Sequence, residues 1–138
     1  MVVWRRKLDN AWVYRAEAIV EQFLDRPDEY EAPTCGPGPF SMANADTVTD
    51  VLTHAGYEDI RLKRQDLVIK TGESLDHSVE LVMSLGPAGE VLRLWGDRVD
   101  EIRPKVKAAL LEGMADMEGP DGVYADSSTW AVRAVAPG

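Results

Sequence analysis

Apolar and polar positions along the chain switch repeatedly between periods of two and of three to four. The opening residues "VVWR" are β-branched and aromatic and predict a short buried strand over residues 2–5. Asp9 or Asn10 can cap a helix over 11–24, with Trp12, Ala16, Ile19, Val20 and Phe23 on its apolar face. "DRPDEYEAPTCGPGP" holds four prolines and two glycines and reads as loop. Asn44 caps a second helix with Val48, Val51, Leu52 and Ala55 on one face, and Gly56 suits the residue after its end. "YEDIRLKRQDLVIK" then predicts a strand: Ile60 and Leu62 alternate with charges, and the run 67–69 is apolar, so the strand should be half covered first and fully buried afterwards.

Ser74 caps a third helix, with Leu75, Val79, Val82 and Met83 on one side. Gly86 and Pro87 interrupt it, and a short helical segment is expected through 91–95. Asp97 caps a long helix to about Met117, with Val99, Ile102, Val106, Ala109, Leu110, Gly113, Met114 and Met117 on its face and local distortion at Pro104. "EGPDG" is a turn, and "STWAVRAVA" closes the chain as a strand in which Trp130, Val132 and Ala134 alternate with Ala131, Arg133 and Val135. Neither repeats nor an internal linker divide the chain, so 1–138 reads as a single domain of mixed α/β class.

Charge narrows the function classes. A net charge of −9 over 138 residues, without a basic stripe, disfavours binding to nucleic acid or to a membrane surface. "MVVWRRK" lacks the apolar length of a signal peptide, and no apolar run is long enough for a membrane span. Cys35 is the only cysteine, which excludes an internal disulfide and makes the cytoplasm the expected compartment.

The stretch "CGPG" at 35–38 looks like a cofactor-cradling glycine loop, but its surroundings do not fit one. Such a loop needs an apolar strand before it and a helix directly after it, so that backbone amides at the helix start face the ligand. Here the approach "DRPDEYEAPT" is charged and carries two prolines, and the next helix starts only near Asn44. Glu58 and Asp59 stand before a strand, where a ribose-binding acid stands after one. The stretch reads as a rigid turn that aims Phe40 inward.

Taken in order, the segments resemble the C-terminal half of a class I S-adenosylmethionine-dependent methyltransferase of the ubiquinone/menaquinone-biosynthesis type. "VVWRRKLDNAW" resembles the fifth strand of that fold and the "W-R…N-x-W" segment after it. "GPGPFSMANADTVTDVLTHAGYEDIRL" resembles its "GPF" turn, helix and sixth strand. The stretch 74–118 resembles a helical substrate lid inserted before the last strand, and "DGVYADSSTWAVRAV" resembles the seventh strand. The resemblance covers nearly every residue from Val2 on. It implies an α/β fold, α+β as it stands: a partial Rossmann-like sheet of about three strands with the seventh lying between the fifth and sixth, antiparallel to both.

In that family the cofactor motif lies upstream of this region, and these residues hold no counterpart of it. The resemblance therefore implies a methyltransferase-like half that binds no S-adenosylmethionine by itself, whether as a truncated frame, half of a split enzyme or a fragment kept for binding. The alternative is a non-catalytic dimeric small-molecule-binding module or partner subunit. The strand at Val2, Val3 and Trp4 would lack its usual neighbour, and an apolar strand edge is a template for pairing, so a homodimer or partner chain is expected there. Trp4, Asn10, Trp12, Phe40 and Ser41 match the family positions near the substrate, against the plainer reading of core and cap residues. His77, beside Asp76 in the lid, is a candidate general base, against the plainer reading of a capping or solvated histidine. Two lone histidines give no metal-site spacing, and Cys35 has no basic neighbour to activate it.

Overall fold

A computed structural model describes residues 1–24 and 38–138. Residues 35–37 of the "CGPG" stretch, Cys35 among them, and the acidic run 25–31 lie outside the described residues. The chain is mixed α/β, with strands β1 (Val2–Trp4), β2 (Glu58–Gly72), β3 (Glu118–Gly119) and β4 (Gly122–Val135) and helices α1 (Ala11–Val20), α2 (Ala45–His54), α3 (Leu75–Ser84), α4 (Gly86–Trp95) and α5 (Arg103–Gly113). The sheet order is β1-β4-β2, with β3 also pairing to β4. β1 runs antiparallel to β4 in the register Val2 to Ala131, Val3 to Trp130 and Trp4 to Thr129. No helix among the described residues is long and apolar enough to cross a membrane.

Local chemistry explains several element ends. The Asn44 side chain accepts from the Asp46 amide at 2.9 Å, which caps α2. At the other end of α2, Gly56 takes φ +84°, its amide reaches Thr53 O at 2.9 Å, and the Tyr57 amide reaches Leu52 O at 2.9 Å. This is the paired closure that a left-handed glycine permits. Ser74 caps α3 through the His77 amide at 3.2 Å. The β3–β4 turn ends on Gly122, at φ +145°, where an added Cβ would sit 2.8 Å from Gly72 O and clash with the Lys70 side chain.

Five expectations are corrected. The helix expected over 97–117 is split into a 3₁₀ turn at Gly96–Val99, α5, and a second 3₁₀ turn at Ala115–Met117. Pro104 falls in the first turn of α5 because it has no N–H to give and disfavours helical geometry in the residue before it. α4 is longer than the segment expected at 91–95, since Pro87 starts this helix instead of merely ending the previous one. Phe23 is 38% exposed, because α1 loosens into a turn after Val20 and takes residue 23 off its buried face. Leu67 and Val68 are 60% and 66% exposed, where full burial was expected. β2 is at the end of the strand order, and an apolar run is buried on both faces only where other elements cover both. β4 also begins six residues before the expected start, at Gly122. Its buried residues include Val123, Ala125 and both Ser127 and Ser128; adjacent strand residues face opposite sides, so the strand is covered on both faces at the two serines.

The residues fall into two compact units. The sheet unit comprises described residues 1–10, 38–67 and 127–138, with Val48 of α2 fully buried. The helical unit comprises 11–24 and 68–126. In it α1 and α3 each pack on α4 and α5, so the stretch 74–118 shares its core with α1. Ala16 and Val20 of α1 meet Val79, Val82 and Met83 of α3, Val91 and Leu92 of α4, and Val99, Val106, Leu110 and Met114 in one cluster. Truncating Leu110, which is 0% exposed, to alanine is expected to cost about 2–5 kcal/mol of stability. Leu67→Ala should change it by less than about 0.5 kcal/mol. Denaturant melts of the two variants check both values.

Candidate functional site

The sheet unit is organised around a buried arginine. Arg5 follows β1 and is only 8% exposed. Its amide donates to Ser128 O at 3.0 Å, which carries the β1–β4 pairing one step beyond Trp4. Its Nη1 donates to Ser128 Oγ at 2.9 Å, and its guanidinium carbon is 4.7 Å from the Trp130 ring centroid. Carboxylates stand at 3.5 Å (Asp9) and 3.9 Å (Asp66). Ser128 Oγ in turn donates to Asp66 Oδ1 at 2.6 Å. Arg5 Nε has no hydrogen-bond partner among the described residues.

Asn10 completes this arrangement. It is fully buried; its Oδ1 accepts from the Ser128 amide at 2.9 Å, and its Nδ2 donates to Ser128 O at 3.2 Å and to Arg6 O at 3.1 Å. The carboxamide thus pairs with β4 as a strand backbone would. Trp4 and Phe40 are brought together, with ring centroids 6.5 Å apart and planes 52° apart. Trp130 Nε1 donates to Ala43 O at 3.0 Å, and Ser41 is half-buried in the same unit. Four of the five residues expected near a substrate therefore belong to the sheet unit, while Trp12 belongs to the helical unit.

Two acids of this cluster are held below the usual carboxylate range. The hydrogen bond from Arg6 lowers Asp9, and those from Arg64 and then Ser128 lower Asp66. A lowered folded-state pKa contributes stability above the ordinary carboxylate value, and that contribution is lost as pH falls through the depressed value.

The helical unit holds an open cleft of about 240 Å³, lined by Ala11, Trp12 and Arg15 of α1, Val68 of β2, Asp116 and Met117 of the second 3₁₀ turn, and Tyr124, Ala125 and Asp126 of β4. Trp12 and Arg15 are one helical turn apart, and Tyr124 and Asp126 share one side of a strand. Arg15 is held by Asp116 Oδ1 at 2.6 Å and Gly113 O at 3.3 Å. Trp12 Nε1 is buried without a hydrogen-bond partner among the described residues. Burial first, and then a hydrogen bond with Asp121, raise the Tyr124 hydroxyl above its ordinary pKa.

His77 is exposed in the first turn of α3. Its Nδ1 accepts from the Glu73 amide at 3.5 Å, while its own amide is capped by Ser74. Among the described residues no group of three or more His, Cys, Asp or Glu side chains could hold a metal ion. Sequence reasoning missed Arg5, Ser128 and Asp66, whose only signal was an arginine next to an apolar strand. It also missed Arg15, Tyr124 and Asp126, for which the alternation in "GVYAD" was the available signal. No family model matches the chain, and no curated protein matches it.

Replacing Arg5 with alanine is expected to lower stability by about 1–3 kcal/mol at neutral pH, because Ser128 and the two carboxylates lose a shared donor. Asp9→Asn should be less stable than the parent at pH 7 and should lose less stability on acidification below about pH 4. Urea melts at a series of pH values check both outcomes.

Proposed function

We propose that these residues are the substrate-side half of a class I S-adenosylmethionine-dependent methyltransferase-like protein, with the cofactor-binding half supplied by another segment or another chain. The observation that carries this reading is the connectivity. The last strand, β4, lies between β1 and β2 and antiparallel to β1, and α3, α4 and α5 all fall between β2 and β4. That order, with a helical insertion before the final strand, is what a Rossmann-like methyltransferase half would present. In this reading Trp4, Phe40 and Ser41 contribute to the wall that faces the methyl acceptor. Asn10 positions that wall through its hydrogen bonds to β4, and the chain alone does not transfer methyl groups.

The same reading assigns β1 to pairing with another chain, a second copy in the simplest case. Val2 is 69% exposed at one end of the strand order. Met1 O accepts from the Val132 amide at 2.8 Å and Arg5 donates to Ser128, so odd positions of β1 face β4 and the backbone groups of Val2 and Trp4 face outward. Val2→Pro therefore removes an outward donor and leaves the β1–β4 bonds in place. Light scattering at micromolar concentration is expected to give a dimer for the parent chain and a monomer for Val2→Pro. A monomeric parent would remove the edge-pairing part of the proposal.

A further inference from the structure

The cleft of the helical unit has an uneven charge balance. About half of its wall is apolar or aromatic, from Trp12, Met117, Ala125 and the Tyr124 ring, with Val68 contributing a side chain that is 66% exposed; the rest is polar. Exposing such a residue to water has a cost that a ligand with an apolar body would relieve. The cations at and beside the cleft are already matched. Arg15 pairs with Asp116 at 2.6 Å, and Lys70, whose charge Tyr124 feels, pairs with Glu73 at 2.6 Å. Asp126 lines the cleft with no hydrogen-bond or ion-pair partner among the described residues. One uncompensated carboxylate thus stands beside two aromatic rings, inside a chain of net charge −9.

We propose that this cleft binds a small organic cation, an amine or quaternary ammonium group carried on a flat apolar body. The cationic head would lie against Asp126 and over the face of Tyr124 or Trp12, where an aromatic quadrupole attracts positive charge. The apolar body would cover Val68, Met117 and Ala125. At about 30 Å³ per water molecule, 240 Å³ corresponds to roughly eight waters, which suits a ligand on the order of ten non-hydrogen atoms. An anion would meet Asp126 without a free cation to receive it. The cleft is complete within the helical unit, so this ligand chemistry follows whether or not a cofactor-binding half exists.

Three probes of nearly equal shape test the proposal: phenethylamine, phenethyl alcohol and phenylacetate, each titrated into the 138-residue chain and followed by amide and indole NMR resonances. Phenethylamine is expected to shift the Trp12 indole and the Tyr124 and Asp126 amide signals, and to bind about fivefold more tightly than the alcohol, with phenylacetate the weakest. Asp126→Asn, a change at an exposed position, should reduce phenethylamine to the affinity of the alcohol and leave the remaining spectrum unchanged. Equal affinity for all three probes, or undiminished phenethylamine binding in Asp126→Asn, would overturn the choice of a cation. The absence of any shift at these signals up to about 10 mM would overturn the site itself.

Discussion

A buried guanidinium sets the geometry of the sheet unit. Arg5 is 8% exposed, and a charge so placed is tolerated only where partners replace the water it has lost. Those partners are the Trp130 face, the Ser128 hydroxyl and the carboxylates of Asp9 and Asp66, drawn from β4, from the turn after β1 and from β2. Each carboxylate is in turn held by a second arginine, Asp9 by Arg6 at 3.0 Å and Asp66 by Arg64 at 2.7 Å. The carboxamide of Asn10 then binds both backbone groups of Ser128. A three-residue strand would pair weakly alone; this polar extension fixes its register against β4.

The helical unit follows a different rule. Its stability rests on apolar contact among α1, α3, α4 and α5, and its polar groups close local accounts, such as the Thr71 hydroxyl bonded to Ser78 Oγ at 2.8 Å. Two prolines start helices here, Pro87 for α4 and Pro104 for α5. These starts divide the stretch between β2 and β4 into short helices joined by tight corners. The cleft lined by Trp12, Tyr124 and Asp126 is formed where α1 and the second 3₁₀ turn meet strand residues.

What could be read from the chain was whatever local chemistry decides. The caps at Asn44 and Ser74, the glycine at 56, and the buried faces Val79–Val82–Met83 and Val99–Val106–Leu110–Met114 depend on neighbours within a few residues, and they stand where the pattern put them. What could not be read depends on distant partners. The burial of Arg5 needs Ser128, 123 positions away, and the exposure of Leu67 and Val68 depends on what lies over β2. The first half of β4 is polar enough in "DSS" to hide its continuity with the closing strand. Of the expected site residues, Trp4 and Phe40 meet as neighbouring rings, while the grouping of Trp12 with Tyr124 and Asp126 joins segments far apart in the chain.

The central proposal is that these residues supply the acceptor side of a methyltransferase-like fold and lack a cofactor site of their own. Calorimetric titration of the 138-residue chain with S-adenosylmethionine tests it most directly. The account predicts no saturable heat with the cofactor at concentrations up to about 1 mM. Saturable binding with a micromolar dissociation constant would contradict it, and would mean that a cofactor site is built within this chain.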